Sequence, residues 1–270
     1  MSKGSQLVVN WHMRMPPGLA YVMMSRSSCL EDLFIKGKFN EKKIRCDQNA
    51  LNESLRLEEI SLTNSMNEAD QSMCSFTMAF LNIRSLKKHL EDVKLNDILR
   101  DCDTFFLTET WLNKNEEINL PPFYGYFGNF GVGKGICTFS KHPVKTRSYI
   151  CPSFQVMSAK HDNGLHLMCV YLSKDCSFQK VADVLSSFGL FDTNETCIFG
   201  DFNYDFGKKN ALSCLLQENF INKVSKSTHD DGHILDHFYA HQSLHSQFQV
   251  TIHPLYHSDH DLILCQRRND

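Results

Sequence analysis

The feature of this chain that most restricts its fold is a series of short apolar runs that end at, or lie beside, a polar residue. Ala79-Phe-Leu precedes Asn82, Phe105-Phe-Leu-Thr precedes Glu109, and Cys197-Ile-Phe-Gly precedes Asp201. Apolar runs of this length, rich in Phe, Ile and Leu, predict buried strands. Because open sheets tend to carry their reactive groups at strand ends, this pattern favours an α/β fold with a site along one sheet edge.

The remaining periodicity predicts many strands and few helices. Strands are predicted over residues 76–82, 104–108, 135–140, 146–150, 156–160, 165–172, 196–200, 235–240, 248–254 and 262–266, and helices over 86–100, 178–188 and 211–219. This mixture is typical of a layered α/β sandwich.

The first part of the chain differs from the rest. Pro16-Pro17-Gly18 interrupts it, a strand is predicted over 19–24 and a helix over 29–34. Residues 61–75 are polar, with few apolar side chains. We therefore predict an N-terminal segment over 1–60, a linker over 61–73 and the main domain over 74–270.

Composition limits the class of protein. The eleven cysteines are scattered, without a Cys-x-x-Cys pair, which indicates reduced core residues in an intracellular protein. Within the cell we expect a nuclear location. No long apolar run predicts a membrane span or a secretory signal. The net charge of −3 argues against strong nonspecific binding to nucleic acid, but not against an enzyme that grips a few phosphates through a metal.

The polar residues at the strand ends have the chemistry that phosphodiester hydrolysis requires. Asn82, Glu109 and Asp259 offer the hard oxygen ligands that a divalent cation prefers. Asp201 suits the orientation and deprotonation of water. Hydrogen-bond donors for the developing charge are available from Asn82, Asn203 and His260, with Asp236 the carboxylate that would orient the histidine.

Five motifs occur in a characteristic order: Asn82-Ile-Arg-Ser-Leu86, Thr108-Glu-Thr-Trp-Leu112, Gly200-Asp-Phe-Asn203, Ile234-Leu-Asp236 and Ser258-Asp-His260. Together they resemble the endonuclease/exonuclease/phosphatase superfamily, and in particular the endonuclease domains of retrotransposons and related mobile elements. The resemblance covers residues 74 to 268. It implies a four-layer αββα sandwich with a small N-terminal appendage and a requirement for Mg²⁺ or Mn²⁺.

The resemblance also implies roles for individual residues. The metal site would be formed by Asn82, Glu109 and Asp259, and the catalytic groups would be Asp201, Asn203, Asp236, His260 and the phosphate-contacting Tyr171. Substrate contacts are expected from Arg84, Ser85, Thr228 and Ser258, although Arg84 and Ser85 would equally fit a simple turn.

Two departures from the family pattern matter. Arg84 stands where the members that repair abasic sites carry an acidic residue, which removes one metal-site carboxylate and argues against that subgroup. The loops between motifs are short, so we expect little DNA sequence specificity.

The N-terminal segment carries a second resemblance. Gly18-Leu-Ala-Tyr-Val-Met-Met-Ser-Arg26 is similar to the last motif of Pif-type DNA helicases of Helitron-like transposons, where Arg26 would face ATP. The chain contains no Gly-x-x-x-x-Gly-Lys-Ser/Thr loop, so we expect a helicase remnant without ATP binding, ATPase or helicase activity.

The leading hypothesis is a metal-dependent DNA endonuclease derived from a transposable element, with DNA as its partner. Two alternatives remain open: a phosphatase of the same superfamily that acts on small phosphoesters, and a catalytically silent remnant that serves as a binding module. The sequence does not fix the oligomeric state.

Overall fold

The computed structural model describes residues 7–10, 33–36, 74–206, 210–255 and 258–268. The chain divides into two compact units, Met1–Ser72 and Met73–Asp270. In the first, β1 (Leu7–Asn10) and β2 (Leu33–Lys36) form a two-stranded parallel sheet. The predicted helix over 29–34 is wrong at its last two residues, because the apolar run Leu33-Phe-Ile pairs with β1 as a strand. The predicted strand over 19–24, the linker and Arg26 lie outside the described residues.

The second unit contains two six-stranded sheets. Its strands are β3 (Cys74–Asn82), β4 (Thr104–Thr108), β5 (Tyr124–Gly128), β6 (Ile136–Ser140), β7 (Lys145–Ile150), β8 (Phe154–Lys160), β9 (His166–Leu172), β10 (Thr196–Asp201), β11 (Phe220–Asn222), β12 (Asp236–His241), β13 (Phe248–His253) and β14 (Leu262–Arg268). Sheet one has the order β13-β14-β3-β4-β6-β5, and sheet two has the order β11-β12-β10-β9-β8-β7.

Alternation along the central strands makes the two sheets stack. On β3, Met78 and Phe80 belong to a core that also holds Phe199 of β10, while Ala79 and Leu81 face a different core on the far side of sheet one. Successive side chains of a strand point to opposite faces, so a run that is apolar at every position is buried on both.

Four short helices complete the outer layers. They are α1 (Leu90–Leu95), α2 (Asp97–Asp101), α3 (Phe178–Ser187) and α4 (Ala211–Gln217). Val93 and Leu99 of the first pair pack on the outer face of sheet one. Val181 and Leu212 of the second pair pack on the outer face of sheet two. The order helix, sheet, sheet, helix is the predicted four-layer αββα sandwich.

The single helix predicted over 86–100 is two helices. Asn96 separates them because it has extended backbone angles, and its side-chain oxygen accepts the Leu99 N–H at 3.0 Å as the cap of α2. Asparagine competes well for this capping role.

Two compositional expectations bear on this unit. Eight cysteines in the described residues are free thiols, and five of them are buried: Cys102, Cys137, Cys169, Cys197 and Cys265. Among the described residues, no helix combines the length and apolar character that a membrane span requires.

Candidate active site

The two sheets bring their polar strand ends to one place. In sheet one, β3 runs parallel to β4, and Asn82 lies opposite Thr108. Glu109 follows Thr108 in the chain, so Asn82 and Glu109 lie at the same edge of the sheet. In sheet two, Asp201 of β10 lies opposite Tyr171 of the parallel β9 and opposite Asp236 of the antiparallel β12. The strand-end residues picked out by the sequence therefore converge from both sheets.

Asn82 joins the two sheets directly. Its Nδ2 donates to Asp201 Oδ2 at 2.9 Å and to Glu109 Oε1 at 3.1 Å. The side chain is fully buried. A single amide therefore fixes the separation of two carboxylates that belong to different sheets.

Glu109 lies on a tight turn after β4. Glu109 and Trp111 both adopt left-handed backbone angles, with φ of 50° and 54°. The Trp111 indole N–H donates to Glu109 Oε2 at 3.3 Å, and the Tyr171 hydroxyl lies 3.3 Å from Glu109 Oε1. Burial, followed by the Glu109 carboxylate, raises the pKa of Tyr171, so its hydroxyl keeps its proton.

Asp201 is held from several sides. Its Oδ1 accepts the Asn203 backbone N–H at 2.9 Å, and its Oδ2 accepts the Asn203 side-chain amide at 3.2 Å as well as Asn82. Gly200 is required before it, because a Cβ there would lie 1.8 Å from the Val170 carbonyl oxygen. Strand β10 thus approaches β9 closely enough to fix Asp201 at the edge.

Asp236 and His260 form a buried pair. His260 Nδ1 lies 2.8 Å from Asp236 Oδ2, and Asp236 Oδ1 has no hydrogen-bond partner although it is buried. Burial alone would lower the pKa of His260, but the Asp236 carboxylate outweighs it and raises that pKa to about 9. The imidazole is therefore protonated at neutral pH, and its Nε2–H remains available to a substrate.

The same cluster changes the basicity of Asp201. Burial first, and then the negative charge of Asp236, raise the pKa of Asp201 above its usual range, while His260 and the hydrogen bonds from Asn203 and Asn82 act in the opposite direction. A carboxylate with a raised pKa is a better proton acceptor than a free aspartate.

Three predicted substrate contacts are engaged in holding the site together. The Thr228 hydroxyl is buried and accepts the N–H groups of Leu235 and Asp236 at 3.2 and 3.0 Å. Ser258 Oγ donates to the backbone carbonyl oxygen of Asn82 at 2.8 Å. Ser85 Oγ accepts the Lys88 N–H at 3.4 Å, in the turn before α1.

Arg84, the fourth predicted substrate contact, turns toward the carboxylates. Its guanidinium Nη1 donates to Asp259 Oδ2, and its Nε lies 4.0 Å from Glu109 Oε2. His229, which the sequence analysis did not assign to the site, lies beside them, with its Nε2 3.5 Å from Asp259 Oδ2 and its ring packed edge-on against His260. The only sequence signal for His229 is its position next to Thr228.

The residues fit a divalent cation held by oxygen. Asp259 Oδ1 is buried and has no hydrogen-bond partner, which leaves a carboxylate oxygen unsatisfied at the site. Glu109 and the side-chain oxygen Oδ1 of Asn82 complete a set of hard donors.

A nitrogen-rich alternative fits less well. Ligand atoms of His229, Asp259 and His260 lie within 4.8 Å of one another. However, His260 is protonated, and His229 Nδ1 accepts the Asp231 N–H at 3.1 Å. With Nδ1 accepting, His229 Nε2 carries the ring proton, so a metal at this nitrogen would first have to displace that proton.

Solved structures share this fold at low sequence identity. The 3′ phosphatase NExo from Neisseria, bound to a product DNA hairpin, is 14% identical with a TM-score of 0.58, over 72% of this chain and 99% of that chain. An AP endonuclease from Archaeoglobus fulgidus is 13% identical with a TM-score of 0.56, over 70% and 98%. The endonuclease domain of TRAS1, a telomere-specific non-LTR retrotransposon, is 13% identical with a TM-score of 0.55, over 72% and 98%.

Comparison by sequence gives a family but no individual relative. No curated protein matches the chain. The profile of the Endonuclease/Exonuclease/phosphatase family matches residues 79–260, a span that contains the strand ends, the bridging asparagine and the buried aspartate–histidine pair. The chain belongs to the Endonuclease/Exonuclease/phosphatase family.

Proposed function

We propose that this protein is a metal-dependent endonuclease that hydrolyses a phosphodiester bond of DNA. The observation that supports the proposal most strongly is that the Asn82 side-chain amide donates to both Asp201 and Glu109. Asn82 therefore links the residue expected to act as the base with a residue expected to bind the metal. Members of the family are metal-dependent phosphodiesterases and related hydrolases.

Asp201 is the base in this proposal. Its two oxygens are held by Asn82 and Asn203, so the carboxylate is fixed before substrate arrives. A water molecule beside it would lose a proton to the carboxylate as the water oxygen forms a bond to phosphorus. The ester bond between phosphorus and the leaving sugar oxygen breaks in the same displacement, and that oxygen takes a proton from solvent water.

His260 stabilises the negative charge that builds on the phosphate oxygens. Asp236 fixes the ring through Nδ1 and keeps it protonated, which leaves Nε2–H to donate to a phosphate oxygen. A prearranged cation of this kind costs little reorganisation during the reaction.

Glu109, Asp259 and the side-chain oxygen Oδ1 of Asn82 would hold the divalent cation, Mg²⁺ or Mn²⁺. When bound, the cation supplies Lewis-acid stabilisation of charge on the phosphate. Tyr171 lies against Glu109 and offers its hydroxyl to the same region.

The choice of DNA and the origin in a mobile element rest on sequence likeness. The motifs Asn-x-Arg-Ser-Leu and Thr-Glu-Thr-Trp-Leu resemble mobile-element nucleases, and the fold is shared with the TRAS1 endonuclease domain. We further propose action in the nucleus, and an origin of residues 1–60 as a remnant of a Helitron-type helicase without ATPase activity. The support for these last two points is sequence alone.

The test is nicking of supercoiled plasmid by the full chain. We expect open-circular DNA with Mg²⁺ or Mn²⁺, none with EDTA, and loss of nicking in both Asp201→Ala and His260→Ala. Folding of each variant is checked by circular dichroism. No nicking with either cation from folded wild-type protein would contradict the proposal.

A phosphatase acting on small phosphoesters is the second candidate. The net charge of −3 favours it, since an acidic protein attracts long DNA poorly. A panel of plasmid DNA and inositol phosphates separates the two, because the phosphatase would release phosphate and leave the plasmid intact. Plasmid binding without either reaction would identify a silent binding module.

A further inference from the structure

Arg84 occupies an unusual position in the site. It follows β3 with left-handed backbone angles, φ 46°, and its backbone N–H donates to Asn82 Oδ1 at 3.3 Å. Its side chain is half exposed, yet the guanidinium turns inward to Asp259 and Glu109. The positive charge therefore lies on the two carboxylates that the proposed function assigns to the metal.

We propose that Arg84 is a built-in competitor of the divalent cation. With no metal bound, its guanidinium neutralises Asp259 and approaches Glu109. Metal binding displaces the guanidinium, because two cations cannot share the same carboxylate oxygens without strong repulsion. This inference rests on the proposed function, since it takes Asp259 and Glu109 as metal ligands.

The contacts indicate that the guanidinium can be displaced. The guanidinium donates a hydrogen bond to Oδ2 of Asp259, while the buried Oδ1 of the same carboxylate has no hydrogen-bond partner. The Arg84 side chain is 49% exposed, so it can move into water at little cost in solvation. Since exposed ion pairs are weak, Arg84 should lower metal affinity by only about three- to fivefold rather than abolish binding.

The experiment measures Mn²⁺ affinity of the full chain by electron paramagnetic resonance of free Mn²⁺, without DNA. Arg84→Gln removes the charge, and we expect it to bind Mn²⁺ about three- to fivefold more tightly than wild type. The matched control is Lys87→Gln. Lys87 is also 49% exposed but pairs with Glu116, so its loss should change Mn²⁺ affinity by less than about twofold.

Two results would overturn the inference: equal or weaker Mn²⁺ binding by Arg84→Gln, or equal tightening by Lys87→Gln. Arg84→Asn serves as a second neutral variant, because asparagine tolerates left-handed backbone angles well. Thermal unfolding verifies that each variant is folded.

Asp259→Asn separates failure of this inference from failure of the proposed function. If Asp259→Asn weakens Mn²⁺ binding while Arg84→Gln matches wild type, the metal site stands and the competition by Arg84 is wrong. If Mn²⁺ affinity is the same in wild type, Arg84→Gln and Asp259→Asn, the metal is not held here, and the inference and the proposed metal site both fail.

Discussion

The candidate site has two halves that treat charge differently. In the buried half, the side chains of Asp236 and His260 are 0% and 7% exposed, and Asp201 as a whole residue is 1% exposed. In the open half, the side chains of Arg84, Glu109 and Asp259 are 49%, 13% and 25% exposed.

Burial determines how each charge is balanced. An ionised group away from water is costly unless fixed partners compensate it, and the buried half supplies them through Asn82, Asn203 and the Asp236–His260 contact. Charges in the open half are stabilised by water as well, so one cation can replace another there. The buried half is therefore suited to proton transfer, whereas the open half is suited to binding a cation that can exchange.

The largest expected effect is on the buried half. Asp236→Asn removes the charge that keeps His260 protonated, and we expect the nicking rate at saturating Mg²⁺ to fall by about 10²- to 10⁴-fold. Additional metal should not restore it. Single-turnover plasmid nicking measures the rate, with Asp183→Asn, an exposed carboxylate on α3 that accepts a hydrogen bond from Gln179, as the control. If high Mg²⁺ restored the nicking rate of Asp236→Asn, the buried half would act through the metal, and the two halves would not have separate roles.

The second prediction contrasts two buried histidines through the pH dependence of stability. Burial lowers the pKa of His237 to about 4, whereas Asp236 raises that of His260 to about 9. Relative to an unfolded pKa of about 6.5, His237 lowers stability as pH falls from 6.5 toward 4. His260 stabilises the fold fully below pH 6.5 or so, and this contribution is lost as pH rises through about 9.

Urea unfolding in EDTA across this pH range tests both signs. Each shift corresponds to at most about 3 kcal/mol in the free energy of unfolding. His237→Gln should flatten the acid side of the profile, and His260→Gln should flatten the alkaline side. If His237→Gln instead flattened the alkaline side and His260→Gln the acid side, the directions given for the two pKa shifts would be wrong.

The third prediction addresses the open half. Asp259→Asn loses a proposed metal ligand, so the Mg²⁺ concentration for half-maximal nicking should rise by about 10- to 100-fold. The rate at saturating Mg²⁺ should approach that of wild type, unlike that of Asp236→Asn. If Asp259→Asn nicks plasmid as slowly as Asp236→Asn even at high Mg²⁺, the two halves of the site do not have the separate roles proposed.

The smallest effect is expected at Trp111. Trp111→Phe keeps an aromatic ring but removes the indole N–H that donates to Glu109 Oε2, so the Mg²⁺ requirement should rise by about two- to fivefold. A change in the maximal nicking rate without a change in the Mg²⁺ requirement would argue that Trp111 acts through the turn and not through Glu109.

Much of the fold could be predicted because its strands are buried on both faces. The prediction over 104–108 matches β4, and the predicted strands over 76–82, 165–172 and 196–200 agree with β3, β9 and β10 within two residues. Strand β5 was not predicted, since Tyr124 and Gly125 are exposed and glycine carries no apolar side chain to mark the pattern. The antiparallel register between β5 and β6 likewise could not be predicted from periodicity.

The site could be predicted where it follows from strand ends, and not where it depends on side-chain direction. Asn82 and Asp201 each end a buried strand, so the parallel pairing in each sheet places Asn82 beside Thr108 and Asp201 beside Tyr171. The contact between Arg84 and Asp259 joins residues 175 positions apart. It depends on how Arg84 turns after β3, which no local pattern records.

Mg²⁺-dependent nicking of supercoiled plasmid by wild type and Asp201→Asn tests the central claim most directly. Asn matches Asp in size, so the variant removes the base while retaining most of the packing around it. We predict that wild type nicks only with divalent cation, and that Asp201→Asn is slower by about 10²- to 10⁴-fold at every Mg²⁺ concentration. Equal nicking by the two proteins would place the activity outside this site and contradict the account.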